Sequence, residues 1–341
     1  MKIKVTSLLI TLAIITSGCS DSNSFVPSFL QKSAGHSANK YTIKTGKKEF
    51  NVLRDGITFT DGSYITPEGE GSIILPKGFY FVNSSAGRIL AANRYGDIIV
   101  LKSSGEEIAK TKLDAPLVSG VTYSGGIAYL LQGNRFGLYN PFKNKVTFQK
   151  QLKGGSVVDN RLANPIVAQN FIALPTLDGR LILINPHNPT APAAIPVGAT
   201  KNYGNIIFAK AINGKMIVAT PSNILSIFAG GKKEYDAKVA DLTIKNGLIY
   251  LLTRDGTVEK LDLNLNPIAT KKFAYADFAT IAALNGKVYA YAKSGSLVVL
   301  DDNLDKYKVY SIGSANDYSY VSGNYLYIDD KKVDLNALNY E

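Results

Sequence analysis

The chain has few of the residues that build reactive or cross-linked sites. Its 341 residues include one cysteine, two histidines and no tryptophan. A single cysteine excludes an intramolecular disulfide, and His36 and His187 leave little for a zinc site or a histidine-based catalytic apparatus. No serine–histidine–aspartate set, phosphate-binding loop or Cys/His metal spacing is present. We therefore predict no enzyme activity, no cofactor and no bound metal.

The residues that are abundant favour strands and turns. Hydrophobic residues make up 45% of the chain, so a fully disordered protein is excluded. The 30 glycines and 20 tyrosines suit short strands joined by tight turns better than long helices. Arginine is scarce, with seven against 31 lysines.

The N-terminus has the order of features expected of an export signal. Residues 1–4 carry two positive charges, and residues 5–16 form a short apolar run. As a helix this run is about 18 Å long, too short for a hydrocarbon core of ~30 Å. Residues 16–19, Thr-Ser-Gly-Cys, resemble a bacterial lipobox, which implies cleavage before Cys19 and its acylation. An ordinary signal peptide with an incidental cysteine is the alternative.

These features predict three segments. They are a signal peptide over residues 1–18, an acylated Cys19 with a flexible tether over residues 19–40, and one folded domain over residues 41–341. Loss of residues 1–18 lowers the net charge from +11 to +9, because two lysines and no acid are removed. For an exported basic protein we expect no nucleic-acid partner, and instead anionic lipid, a cell-wall polymer or an acidic protein face.

From residue 41 onward one unit recurs, made of a strand, a tight turn, a second strand and then aspartate or asparagine. We place the turns at Gly56, Gly96, Gly137, Gly179, Asn223, Gly256, Gly295 and Lys332. They recur about every 39 residues, near the roughly 40–45 residues of a four-stranded propeller blade. We predict an all-β propeller of seven blades, with eight as the alternative. The last copy stops after its third strand, so a strand within residues 41–53 is expected to close the ring.

The best copies of the unit, Asn246–Asp262 and Asn285–Asp301, share a motif. Asn-Gly-x-Val/Ile-Tyr, then Asp/Ser-Gly and then Leu-Asp resembles the pyrroloquinoline-quinone-type propeller repeat. Behind a lipobox, such repeats are similar to the BamB family of the outer-membrane β-barrel assembly machinery. The resemblance implies a monomeric, lipid-anchored propeller on the periplasmic side of the outer membrane that binds a protein partner, with that machinery as the candidate. The tryptophan usual after Leu-Asp in this family is absent; Phe273 and Ile312 lie in such stretches.

Arginines and two aromatic residues accompany the turns. If these turns join the second and third strands of blades, their side chains emerge on one face, with the composition of an interface hot spot. The predicted partner-binding residues are Arg54, Arg94, Tyr95, Arg135, Phe136, Arg180 and Arg254. Solvated charges that turns merely tolerate are the alternative.

The sequence thus predicts a non-enzymatic scaffold lipoprotein. Two other functions stay open: a propeller that binds or processes cell-wall polymers or carbohydrates, and a surface-exposed adhesin. The lysines that flank one predicted outer strand are interpreted as a solvated blade edge, with attraction to anionic lipid as the alternative. These lysines are Lys143, Lys145, Lys150 and Lys153.

Overall fold

Eight antiparallel sheets of four strands each make up the computed structural model, which describes residues 36–155, 161–168, 170–197 and 204–341. We call these sheets blades. The predicted all-β propeller is confirmed, but the preferred number of seven blades is wrong and the alternative of eight is confirmed. The predicted signal peptide, Cys19 and most of the tether lie outside the described residues.

The first four blades follow one another along the chain. Blade 1 consists of β2 (Glu49–Leu53), β3 (Gly56–Phe59), β4 (Tyr64–Thr66) and β5 (Gly69–Glu70). Blade 2 consists of β6 (Tyr80–Ser85), β7 (Arg88–Ala92), β8 (Asp97–Lys102) and β9 (Glu107–Lys112). Blade 3 consists of β10 (Leu117–Tyr123), β11 (Gly126–Leu131), β12 (Arg135–Asn140) and β13 (Lys145–Gln151). Blade 4 consists of β14 (Ile166–Val167), β15 (Ile172–Pro175), β16 (Arg180–Ile184) and β17 (Ala193–Pro196).

The remaining blades continue this order, and the last one takes a strand from the N-terminal end. Blade 5 consists of β18 (Phe208–Ile212), β19 (Lys215–Thr220), β20 (Asn223–Phe228) and β21 (Gly231–Asp236). Blade 6 consists of β22 (Val239–Lys245), β23 (Leu248–Thr253), β24 (Thr257–Asp262) and β25 (Pro267–Lys272). Blade 7 consists of β26 (Phe278–Leu284), β27 (Lys287–Ala292), β28 (Ser296–Asp301) and β29 (Tyr307–Ser311). Blade 8 consists of β30 (Ser319–Ser322), β31 (Tyr325–Ile328), β32 (Lys331–Asp334) and β1 (Thr42–Lys44), which follows a 3₁₀ turn at Asn39–Tyr41.

Strand β1 closes the ring. It pairs antiparallel with β32, with Thr42 opposite Val333 and Lys44 opposite Lys331. The expected closure by an N-terminal strand is therefore confirmed. The ring has eight blades for two reasons. Strand β1 completes the last repeat as a four-stranded blade, and β2–β5 form a separate, short blade.

The hydrophobic core lies between neighbouring blades. Eight clusters of buried side chains fill the eight spaces around the ring. Strand β11 is buried along its whole length, because both of its faces meet another blade. Buried tyrosines keep their hydroxyls paired: Tyr289 donates to the carbonyl of Leu335 at 2.8 Å and Tyr291 to that of Gly313 at 3.0 Å.

One contact recurs where a typical repeat of this kind carries tryptophan. The residue after the outer strand donates its N–H to a carbonyl of the hairpin that joins the second and third strands. In blade 6 this bond runs from Phe273 to Gly256 at 2.7 Å, and in blade 7 from Ile312 to Gly295 at 2.9 Å. Both donors are buried. In blades 2 and 4 the same bond runs from Leu113 to Gly96 and from Val197 to Gly179, each at 2.9 Å. Leucine, valine, phenylalanine or isoleucine thus fixes this corner of a blade without an indole.

The two ends of the ring differ in the hairpins they carry. Because each blade is an antiparallel meander, its second-to-third-strand hairpin lies at one end and its other two hairpins at the opposite end. We call the end with the second-to-third-strand hairpins of blades 2–8, and with the connections between blades, the top face. The other end is the bottom face.

Candidate partner-binding face

Four of the predicted arginines lie on the top face. Arg94 and Arg254 occupy the second-to-third-strand hairpins of blades 2 and 6 and are exposed. Arg135 and Arg180 are the first residues of the third strands of blades 3 and 4, and both are half-buried. The structure places these four side chains on one face, and their role in binding stays a prediction.

A tight turn presents Arg94 and Tyr95. The side-chain oxygen of Asn93 accepts hydrogen bonds from the backbone N–H of Tyr95 at 2.9 Å and of Asp97 at 3.0 Å. Gly96 completes the turn with a φ of 89°, a conformation that favours glycine. Tyr95 is 70% exposed, so a large aromatic ring stands in solvent on a rigid hairpin.

Three of these arginines make contacts within the ring. An ion pair of 2.5 Å joins Arg135 to Asp114, and Arg180 pairs with Asp178 in its own hairpin. The Nε of Arg254 donates to the carbonyl of Val239 at 3.2 Å. These contacts hold the guanidinium groups in place and partly neutralise two of them.

Blade 6 adds an aromatic residue that the sequence analysis missed. Tyr275 lies in the connection from blade 6 to blade 7 and is 74% exposed. Its neighbours Phe273 and Ala276 pack against Gly256, so it stands beside the Arg254 hairpin. Tyr275 lies outside the hairpin turns from which the binding residues were predicted. The available signal was a large aromatic residue in a connection that must emerge on the same face.

Asp255, the residue after Arg254, forms an ion pair with Lys272. Asp255 accepts hydrogen bonds from Lys272, Thr253 and Thr257, and these hold its pKa well below the usual range for a carboxyl group. The carboxylate is thereby bound to Lys272 at the end of the outer strand. Arg94 with Tyr95 on blade 2, and Arg254 with Tyr275 at blade 6, form two exposed Arg–Tyr sites. Blades 2 and 6 are opposite each other in a ring of eight.

Two predicted residues do not belong to the exposed face. Phe136 is 1% exposed, because as the second residue of β12 it points into the space between blades 3 and 4. Arg54 lies in the hairpin between the first and second strands of blade 1, not in a second-to-third-strand hairpin. These two assignments to the docking face are wrong. Gly137, which the repeat spacing predicts to lie in a turn, is likewise inside β12.

Arg54 instead spans the central channel. Its guanidinium binds Asp241 of blade 6 at 2.6 Å and the carbonyl of Leu242 at 2.9 Å. The neighbouring Asp55 accepts a hydrogen bond of 2.8 Å from Asn164 of blade 4. Burial raises the pKa of Asp55, while Asn164 and the charge of Arg54 act in the opposite direction. The β2–β3 hairpin thus ties blade 1 to the far wall of the ring.

The channel beside this hairpin encloses a cavity of about 610 Å³. Charged and polar groups line it, among them Arg54, Asp55, Asn164, Asp241 and Tyr320. Among the described residues, no three His, Cys, Asp or Glu side chains come together in a way that would hold a metal ion.

None of the described residues belongs to a helix with the length and hydropathy of a bilayer-spanning segment.

Comparison with known proteins agrees with this architecture. A family model described as outer membrane protein assembly factor BamB matches residues 75–247. The chain is 28% identical over 220 residues to the plasminogen-binding protein PgbB of Helicobacter pylori, a match that covers 63% of this chain and 40% of the relative. PgbB from a second strain is 26% identical over 219 residues. The chain therefore spans two fifths of the length of these curated relatives.

Solved structures share the fold at low sequence identity. BamB from Moraxella catarrhalis superposes with a TM-score of 0.64 at 12% identity, covering 85% of this chain and 98% of that one. For the C-terminal WD40 domain of Sif2 the TM-score is 0.59 at 13% identity, with coverage of 86% and 97%. For AztD from Citrobacter koseri it is 0.56 at 16% identity, with coverage of 79% and 87%. The family model covers half of the chain, from blade 2 into blade 6, and the chain therefore belongs to the β-propeller family of outer membrane protein assembly factor BamB.

Proposed function

We propose that this protein is a non-enzymatic scaffold lipoprotein, anchored through Cys19 to the periplasmic side of the outer membrane. Its signal peptide would be residues 1–18, and its tether would begin at Cys19 and end where His36 and Ala38 bond to the ring. In this role the top face binds a protein partner in outer-membrane β-barrel assembly. Family membership supports the setting.

The observation that carries the binding role is the pair of exposed Arg–Tyr sites on the top face. Arg94 with Tyr95 and Arg254 with Tyr275 combine the residue types that dominate interface hot spots. Arginine also pairs bidentately with carboxylates, which lysine does not match. Hairpins held by a closed ring lose little conformational freedom on contact, so binding does not have to order them. A partner that engages both sites must be wide enough to span the ring.

Charge reversal tests this role. The double substitution Arg94→Glu and Arg254→Glu should abolish capture of the partner in a crosslinking pull-down from native membranes. The matched control, Lys245→Glu with Lys306→Glu, reverses two exposed charges on the bottom face and should leave capture intact. Equal capture by both variants would refute the top face as the docking surface.

A second candidate is a surface-exposed plasminogen-binding protein. The observation that favours it is the similarity to PgbB, whose name states that activity. Immobilised purified protein should then retain plasminogen, and protease added to intact cells should digest the propeller. Absence of both results, together with partner capture from the periplasm, would select the assembly role.

A further inference from the structure

Blade 3 differs from the other blades in its charge. Residues 115–158, which contain all of β10–β13, include no aspartate or glutamate, whereas each of the other seven blades contains at least one. The same stretch holds Arg135 and four lysines. All four are exposed, and Lys143, Lys145 and Lys150 lie along the outer edge of the blade. Among the described residues, none of the three forms an ion pair.

Apolar side chains stand among these lysines. Phe142, in the hairpin between the third and fourth strands, is 73% exposed, and Val146 at the start of the outer strand is 39% exposed. The ammonium of Lys150 lies 5.8 Å from the centre of the Phe148 ring. The outer edge of blade 3 is therefore both basic and apolar.

The hairpin that carries Phe142 is held in shape by its neighbours. The side chain of Asn140 accepts a hydrogen bond from the backbone N–H of Lys143 at 3.0 Å. The hydroxyl of Tyr139 donates to the side chain of Asn144 at 2.6 Å, and Asn144 has a φ of 46°. Phe142 thus projects from a preformed turn.

We propose that this edge, formed by Phe142, Lys143, Lys145, Val146 and Lys150, docks onto the surface of an anionic lipid bilayer. The aromatic ring and the valine enter the boundary between head groups and acyl chains. The lysines lie against the surface with their ammonium groups among the phosphates. The missing acids remove the repulsion that anionic head groups would otherwise meet.

The residue types favour a bilayer over a protein partner. Lysine is depleted at protein interfaces, whereas arginine is enriched there. Lysine is a compact, strongly hydrated charge on a flexible stem, which suits a fluid array of head groups with no fixed geometry. The exposed Arg–Tyr sites lie on blades 2 and 6, whereas Lys143, Lys145 and Lys150 lie on the edge of blade 3.

The position of this edge also suits a membrane-held ring. The N-terminal segment reaches the ring at blade 7, where the carbonyl of His36 accepts a bond from the N–H of Ser311 at 3.0 Å. In a ring of eight, blade 7 is opposite blade 3. If Cys19 is acylated, as the proposed function has it, the lipid anchor and the docked edge therefore engage the ring at two separated points.

Vesicle binding by the full chain carrying Cys19→Ala, which cannot be acylated, tests the proposal apart from the anchor. The protein should sediment with vesicles of phosphatidylglycerol and phosphatidylcholine, sediment poorly with phosphatidylcholine alone, and lose binding as salt is raised. Lys143→Glu with Lys145→Glu and Lys150→Glu should weaken binding at least about tenfold. Phe142→Ser alone should weaken it about threefold or more and leave the salt dependence unchanged.

The matched control reverses three exposed lysines elsewhere, Lys44, Lys245 and Lys306, and should bind as the parent chain does. Equal weakening by both triple variants would show that only net charge matters, and would overturn the proposal. Equal binding to neutral vesicles, or capture of a soluble polyanion with no binding to vesicles, would overturn it too. Circular dichroism checks that each variant is folded.

Discussion

The carboxyl group of Asp55, in the central channel, has a pKa that depends on contacts between blades. Asp55 sits between Arg54 and Asn164, and burial raises its pKa above the usual range. A raised pKa means that folding favours the protonated form. Its contribution to stability is therefore greatest below the ordinary pKa of about 4 and is lost as pH rises through the raised value.

Asp55→Asn, which imitates the protonated group, should therefore stabilise the fold at neutral pH. This gain should shrink as pH falls toward about 4. Urea unfolding followed by circular dichroism at the two pH values measures the difference.

The opposite dependence is expected at Asp255, where bonds from Lys272 and two threonines lower the pKa. The contribution of this group is present above the ordinary pKa and is lost as pH falls. Asp255→Asn should accordingly destabilise at neutral pH, with the loss fading in acid. If the two variants changed stability in the same direction, the assigned environments would be wrong.

The sequence could place charged residues but not their surroundings. Arg94 and Arg254 are exposed because Tyr-Gly and Asp-Gly turns present the preceding arginine to solvent. Phe136 was misplaced because its adjacent glycine belongs to a strand, where side chains alternate between faces. The partner of Arg54 could not be predicted, because Asp241 is distant in the sequence and meets it only when the ring closes.

Among the structural elements, the second-to-third-strand hairpin of blade 6 leaves little room for a side chain. Gly256 has a φ of 85°, and a Cβ there would lie 2.1 Å from the carbonyl oxygen of Phe273. Gly286, in the first-to-second-strand hairpin of blade 7, has a φ of 73° but no atom within 4 Å of the same position. An alanine at Gly286 therefore meets only the cost of a positive φ, whereas an alanine at Gly256 also meets a steric clash.

Gly286→Ala should cost about 1 kcal/mol of unfolding free energy, as expected for a positive φ alone. Gly256→Ala should cost about 3 kcal/mol or more, because the corner contact with Phe273 must also break. Chemical denaturation of both variants measures the difference. Equal losses would show that the corner contact does not constrain the blade.

The same elements show what a repeat motif reveals. In Asn246–Asp262 the Asn-Gly turn joins β22 and β23, and Asp255 with Gly256 joins β23 and β24, as the motif predicts. Both residues of the first turn have positive φ, which suits asparagine and glycine. Blade 1 lacks this spacing, so its hairpins were assigned to the wrong pair of strands.

At the scale of the whole molecule, stability depends on how the ends of the chain meet. Strand β1 places Ile43 opposite Lys332, which joins residues near both ends in one sheet. Sequence spacing could suggest this closure but could not decide the number of blades, since a borrowed strand leaves the last repeat incomplete.

A disulfide across this junction tests the closure. Ile43→Cys with Lys332→Cys, in a Cys19→Ala background, should oxidise readily and raise the unfolding free energy by about 3–5 kcal/mol. Thermal unfolding with and without reductant measures the gain. The pair Ile43→Cys with Lys308→Cys, which reaches the next blade instead, should remain reduced. Failure of the first pair to form would mean that β1 does not close the ring.

The central claim is that the top face binds a protein. The most direct measurement is photo-crosslinking in the native cell, with a photoreactive amino acid at Tyr95 or Tyr275 and, as control, at Ile268, an exposed residue of the outer strand of blade 6. We predict that both top-face positions yield a crosslink to the same partner and that Ile268 yields none. Crosslinks from Ile268 alone, or from all three positions alike, would contradict the account.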